Sequence, residues 1–427
     1  STSDSGSFSL GSSPSTPAAD RYSGSQARPP SSSGLGHRPL TAATRVQIPL
    51  GVQSMKIGFV FDDTLDAPDG VQQYLLTLGR WLTEDGHDVH YLVGETTRDD
   101  IPGVHSLSRN VRVKYNRNWV RIPLPAGSKR VRALLGEEQF DVLHVAAPFS
   151  PMLAAKVINN APEGTRIVST FLIAPASKAV ETATKGLAAL TRRAVGRIDK
   201  HISLSSVARD FAYGAYGVES EIIPSPIDVA KFRGAAGSSA AREAKAENRT
   251  KQVLFFGRLV DRKGARHLLN AVKHLEDRTD LSGVEVVIAG DGPLRAELEA
   301  QARELRTPVK FLGFVDEDDK AALLQNADLV VFPSTGGESF GIVLVEALAS
   351  GAKVVLAGDN PGYRSTFESN EELLVDPTDV DEFASRIHKG LFDEDFRRRA
   401  TRFGEEHVKK FDLDAVMGRI LQAYKDH

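Results

Sequence analysis

The chain contains no cysteine. Disulfides and thiolate-ligated metal centres are excluded, and with them the small cross-linked scaffolds of secreted proteins. No apolar run approaches the ~20 residues that a membrane-spanning helix needs, so any membrane contact is made at a surface. Nor is there an excess of charge of one sign. Fifty-three basic residues stand against 56 acidic ones, a net of −3, and nothing points to a nucleic-acid partner. What is present, 427 residues at 41% apolar and 26% charged, is ordinary globular material. It is too long for one core and suits two domains of roughly 150–200 residues each.

Residues 1–54 are compositionally different. They hold 14 serines and six prolines and show little periodic apolar pattern. Such a stretch buries too little surface to offset its ordering entropy, and it lacks the basic start and apolar core of a secretory signal. It reads as a disordered leader or tag ahead of a start at Met55, where "MKIGFVFD" opens a first strand.

From Met55 the chain alternates short β-rich runs with helical patterns. The first half offers "KIGFVFD", "HDVHYLV", "FDVLHVAAP", "TRIVSTFLI", "KHISLSS" and "EIIPSP". The second offers "QVLFFGRLV", "VEVVIAGDG", "VKFLGFV", "ADLVVFPST" and "AKVVLAG". Alternation of this kind predicts parallel sheets with helices on both faces, and unbroken apolar runs fit strands buried on both sides. The expected architecture is two doubly wound, Rossmann-like α/β domains facing across a cleft. Residues 55–227 form the first, 228–408 the second, and 409–427 a final helix.

Ligands of such sheets bind at the carboxyl ends of the strands, where the strand order reverses. Polar residues gather at those ends. Arg258 and Lys263 follow "LFFG", with Gly257 at the turn. Asp291 follows "VVIAG". "TGGESFG" follows "LVVFPS", and Gly70 sits near a helix start after "FVFDDTLDAPD". A helix N-terminus suits phosphate, and the glycines permit close backbone approach. Arg258 and Lys263 add two full charges, which makes a diphosphate site. Taken singly, each is as easily a solvated loop cation.

The segment "GGESFGIVLVEALASG" carries two glutamates. Its helix is predicted from Phe340 or Gly341 to a stop at Gly351, apolar all round as in a buried helix. A buried, unpaired carboxylate costs several kcal/mol, so Glu346 requires a polar partner. That partner is either structural, such as a backbone amide or an arginine, or the paired hydroxyls of a ribose. Glu338 precedes the helix and is expected in the loop, free to reach a sugar hydroxyl.

These sixteen residues resemble the E-x7-E signature of retaining glycosyltransferases of family 4, which have the GT-B fold. The neighbouring wording is most similar to the phosphatidylinositol mannosyltransferases. "APDGVQQ", "FDVLH", "GRLVDRKG", "FLGFVDEDDK" and "IDVAKF" follow in the family's order, although the first glycine of its glycine loop is here Asp69. The resemblance implies that Glu346 binds the donor ribose and Glu338 the transferred sugar. It implies that Arg258 and Lys263 neutralise the leaving diphosphate, with Gly257 and Asp291 beside them. Ser339, Phe340 and Gly341 present backbone amides, Lys320 lies near the base pocket, and Gly70 admits the diphosphate. The implied reaction moves a hexose, of mannose or glucose type, from a GDP- or UDP-sugar to a lipid or glycan acceptor with an α-linkage. It needs no cofactor and no metal, because the cations meet the charge on the leaving phosphate. The final helix is expected to cross back onto the first domain.

Two family histidines are missing. Leu172 stands where one follows "TF", and Ala146 where another follows "DVLH". Leucine neither hydrogen-bonds nor moves a proton. The alternative to an active enzyme is therefore a catalytically silent nucleotide-sugar-binding relative. His144 reads as a packed strand residue. Gln72 and Leu172 are assigned to the acceptor side. Lys129, Arg130 and Arg132, beside Val131, Leu134 and Leu135, read either as a membrane-facing basic helix or as an ordinary surface helix. The expected location is cytoplasmic, peripheral at the inner face of the plasma membrane. A dinucleotide dehydrogenase is disfavoured, since no G-x-G-x-x-G follows the first strand of either half.

Overall fold

A computed structural model describes residues 54–66, 70–115, 118–146, 148, 150–172, 188, 190–236 and 250–426. The serine-rich leader expected over 1–54 lies outside the described residues except for Ser54, as do Ala67, Pro68 and Asp69.

Two parallel sheets organise the chain. The first has seven strands: β1 (Lys56–Phe61), β2 (Asp88–Val93), β3 (Val104–Ser106), β6 (Val142–Ala146), β7 (Arg166–Phe171), β8 (Lys200–Ser203) and β9 (Glu221–Ile222). Their order is β3-β2-β1-β6-β7-β8-β9. The second has six: β10 (Lys251–Phe256), β11 (Val284–Ala289), β12 (Val309–Gly313), β13 (Leu329–Phe332), β14 (Val355–Gly358) and β15 (Leu374–Val375), in the order β12-β11-β10-β13-β14-β15. The order reverses between β1 and β6 in one sheet and between β10 and β13 in the other. The central strands are buried along almost their whole length, because helices cover both faces. The cation-rich stretch after residue 109 was not read as a strand pair. It forms an antiparallel hairpin, β4 (Asn110–Tyr115) and β5 (Asn118–Pro123).

The helices that matter below are α1 (Gly70–Glu84), α2 (Ser128–Glu138), α3 (Ala154–Asn160), α4 (Ser206–Tyr216), α5 (Val229–Ala236), α6 (Ala265–Glu276) and α7 (Arg295–Ala302). They continue with α8 (Glu317–Asn326), α9 (Ile342–Ala349), α10 (Pro361–Thr366), α11 (Val380–Phe392), α12 (Glu394–His407) and α13 (Leu413–Lys425). Their buried residues follow the helical period. In α6, Ala265, Leu268, Leu269, Val272 and Leu275 form one stripe toward the sheet. Polar side chains close several helix starts. Ser205 accepts from Ala208 N, Asn360 from Tyr363 N, Asp379 from Glu382 N and Asp393 from Phe396 N.

The chain passes between the two sheets twice, and the passages run side by side. Ile227 N donates to Phe411 O (2.8 Å) and Leu413 N to Ile227 O (3.1 Å). Helix α13 then lies against the first sheet. Tyr424 Oη meets His144 Nδ1 at 2.6 Å, and Arg166 Nε donates to Ala423 O at 3.3 Å. His144 Nε2 contacts Thr170 Oγ1 (2.7 Å), which also meets Tyr74 Oη (3.2 Å). This network satisfies four polar side chains within an otherwise apolar core. Burial pushes His144 down to about 3, so the ring is neutral. Among the described residues no helix is long and apolar enough to cross a membrane.

Candidate active site

The loops after β10 and β13 meet at the point where the second sheet reverses. Gly257 ends β10, its N–H donating to Ala289 O (2.9 Å). Arg258 follows, exposed and with no side-chain partner among the described residues. A 3-10 turn, Asp261–Lys263, closes on Gly264 at φ +77°. A β-carbon at Gly264 would stand 1.9 Å from Pro333 O, so only glycine lets this turn lie against the end of β13. Thr335 N and Ser334 Oγ both reach Arg262 O, at 2.9 and 3.0 Å, and lash the loops together.

This packing delivers three donors to one oxygen. Glu338 Oε1 lies 2.7 Å from Arg262 Nη1, 2.9 Å from Lys263 Nζ and 2.8 Å from Ser334 Oγ. Burial raises the Glu338 carboxyl, but Lys263, Ser334 and Arg262 outweigh it and hold it below the usual carboxylate range. The expectation of a free Glu338 is corrected here: its Oε1 is fully engaged by neighbouring loops. Arg262 and Ser334 were missed in the sequence. The run "DRKG" signalled Arg262 only as the neighbour of Lys263, and nothing local signalled its reach to a residue 76 positions away. Arg262 and Lys263 against one carboxylate leave the cluster net positive. That donor set suits a phosphate rather than a metal ion.

Helix α9 begins beside this cluster. Gly341 caps it at φ +83°, where a β-carbon would lie 2.5 Å from the Tyr363 ring. Leu344 N already donates to Gly341 O (2.9 Å), and the N–H groups before it lie at the positive end of the helix dipole. Phe340 points into the core, edge-on to Phe411 at 5.8 Å. Ser339 O accepts from Ser205 Oγ at 2.5 Å, a bond from the first half of the chain to the second. Gly70, the first residue of α1, stands opposite. A β-carbon there would be 3.9 Å from Ile342 Cγ2. The starts of α1 and α9, each after the central strand of its sheet, therefore face one another.

Glu346 lies one turn into α9, buried. Lys320 of α8 supplies the required polar partner, Nζ to Oε1 at 2.8 Å, with both side chains about 5% exposed. Lys320 also approaches the Phe232 ring of α5, at 5.8 Å to its centroid. The sequence reading placed these residues separately at ribose and base, and offered an amide or an arginine as the structural partner. The structure pairs the two with each other.

The remaining assigned residues fall in several places. Asp291 is exposed at the end of β11, its Oδ1 accepting from Gly292 N (2.8 Å). Gln72 is buried, with Nε2 bonded to Thr64 O (2.5 Å) in the loop after β1. Leu172 is buried at the end of β7, and Ala146 is fully buried. Lys129, Arg130 and Arg132 are exposed on α2. The apolar side of that helix is not available to lipid. Val131 and Leu135 are fully buried against Leu92, Phe140, Leu143 and Leu153, and Leu134 packs on the same core. Asp62, passed over in the sequence, accepts from Leu153 N (2.6 Å) and Ala154 N (3.2 Å) at the start of α3.

Comparison with known proteins identifies the family and the fold. Residues 68–231 match the family model of Glycosyltransferase Family 4, and residues 239–407 that of Glycosyl transferases group 1. The phosphatidyl-myo-inositol mannosyltransferase of Mycobacterium tuberculosis strain H37Rv is 34% identical over 382 residues, 87% of this chain and 97% of that protein. Its counterpart in Mycolicibacterium smegmatis is 34% identical over 375 residues, 87% and 94% of the two chains. Among solved structures, Anabaena HepE in complex with UDP and glucose superposes with a TM-score of 0.66 at 20% identity, covering 87% of this chain and all of that one. Sucrose-phosphate synthase from Thermosynechococcus elongatus gives 0.64 at 19% identity, covering 87% and 98%. The chain belongs to the GT-B glycosyltransferases of family 4 and group 1, the family that holds the phosphatidyl-myo-inositol mannosyltransferases.

Proposed function

We propose that the protein is a retaining hexosyltransferase. It moves a mannose- or glucose-type sugar from a GDP- or UDP-hexose to a lipid or glycan acceptor, with an α-linkage and no metal. One observation carries the reading: Arg262 and Lys263 converge on Glu338 just before the start of α9, opposite Gly70, with Arg258 exposed on the same loop. A diphosphate placed there meets Arg262, Lys263 and the amides at the start of α9, with Arg258 on the same loop. As the sugar–phosphate bond lengthens, negative charge grows on the phosphate, and fixed cations stabilise that charge more than the ground state. This chain therefore supplies the charge that a divalent ion provides elsewhere. Retention rests on the E-x7-E resemblance, with Glu338 beside the transferred sugar and the leaving phosphate receiving the acceptor proton. The mannosyltransferase relatives favour an inositol-lipid acceptor. The exposed Lys129, Arg130 and Arg132 fit an anionic surface at the inner face of the plasma membrane, held by charge alone.

A second reading has one observation behind it. Leu172 fills a position where the family carries histidine, which favours a silent nucleotide-sugar-binding protein. Calorimetric titration with GDP, UDP and ADP in EDTA, followed by the matching sugar-nucleotides, tests the donor site. Tight binding of one nucleotide that is lost in Arg258→Ala supports it. Equal, weak binding of all three refutes it.

A further inference from the structure

At the β3 edge of the first sheet, three side chains from three elements converge. His90 of β2, His105 of β3 and Glu138 in the last turn of α2 each offer one ligand atom, all within 4.8 Å of one another. His90 Nδ1 is 2.9 Å from His105 Nε2, and His105 Nε2 is 3.8 Å from Glu138 Oε1. A tetrahedral ion with bonds of about 2.1 Å separates its ligands by about 3.4 Å, midway between these distances. We propose that His90, His105 and Glu138 form a binding site for a divalent transition-metal ion of the zinc type, structural in role and separate from sugar transfer.

The surrounding groups prepare such a site. Asp88 Oδ1 lies 3.1 Å from His90 Nε2. That bond places the His90 proton on Nε2 and leaves the Nδ1 lone pair directed at His105, the carboxylate–histidine–metal pattern. Lys56 Nζ contacts Glu138 Oε2 at 2.5 Å and leaves Oε1 toward the histidines. Two imidazoles and one carboxylate select zinc, cobalt or nickel over magnesium or calcium. All three ligands stand on regular elements, and the side chains of His90, Glu138 and His105 are only 13%, 18% and 23% exposed. An ion there clamps the end of α2 to the edge of the sheet.

The test uses the full chain stripped with EDTA, titrated with Zn2+ and separately with Co2+. The expected result is one site per chain and a cobalt visible spectrum of tetrahedral character. Affinity falls at least tenfold in His105→Gln and in Asp88→Asn, which alters only an outer partner. Thermal unfolding without metal checks that both variants fold. Absence of a stoichiometric site overturns the proposal, and so does zinc affinity unchanged in folded His105→Gln.

Discussion

Lys263 Nζ is held 2.9 Å from Glu338 Oε1, so a cation assigned to the donor phosphate and a carboxylate assigned to the sugar are each other's partners. A bound diphosphate competes with Glu338 for Lys263. Lys263→Ala removes a charged hydrogen bond worth about 1.5–3 kcal/mol and is expected to weaken nucleoside-diphosphate binding roughly 10- to 100-fold. Glu338→Gln is expected to bind the diphosphate at least as tightly while losing transfer. Calorimetry and turnover on the same two variants check the split. Parallel losses of affinity in both would show that Glu338 orders the loop and does not compete.

The buried pair Lys320–Glu346 makes a sharper stability prediction. Lys320→Met removes the cation of a buried ion pair and should cost about 3–5 kcal/mol. Adding Glu346→Leu should recover most of that loss, because no buried charge is then left unpaired. Urea unfolding of the three proteins measures it. A single-variant cost below about 1 kcal/mol would mean that water or another group already serves Glu346.

His144 gives the protein an acid-sensitive limb. Its folded-state value, about 3, lies below the ordinary imidazole value near 6.5. Below pH 6.5 the unfolded chain takes a proton there that the folded chain refuses. Stability is therefore full above that pH and falls as the medium is acidified toward 3. His144→Gln should remove one proton's share of the slope, about 1.4 kcal/mol per pH unit, between pH 6 and 4.5. An unchanged slope in the folded variant would contradict the neutral, buried assignment.

On α2, Lys129, Arg130 and Arg132 face solvent while Val131 and Leu135 face the core. Membrane attraction through this helix is then purely electrostatic, about 1 kcal/mol per cation. Replacing all three by alanine should weaken binding to anionic vesicles roughly 100-fold at low salt. Salt should abolish binding of the native chain. Salt-resistant binding would require an inserted apolar surface elsewhere.

Much of this was legible in the sequence because parallel strands buried on both faces read as unbroken apolar runs. "KIGFVF" and "LVVF" needed no partner to be recognised. Helix α9 was legible too, since Gly341 and Gly351 bracket an apolar run and both have positive φ. Pairings across distance were not legible. A carboxylate in an apolar helix announces that it needs a partner, but nothing in the string chooses Lys320 over a ribose. Arg262 carries no mark that separates it from Arg258, yet one is bonded to Glu338 and the other faces solvent. The two readings of α2 could not be separated because charge pattern alone does not say what its apolar residues touch. The hairpin β4–β5 was missed because its cations dominate a strand-length pattern.

The most direct test of sugar transfer is proton NMR of the native chain with the sugar-nucleotide it binds. It is run in EDTA, with and without phosphatidylinositol vesicles. The account predicts that donor is consumed and that the sugar appears in the α-configuration, on lipid or as free hexose. A bound donor that stays intact in both samples, or a β-configured product, would contradict it.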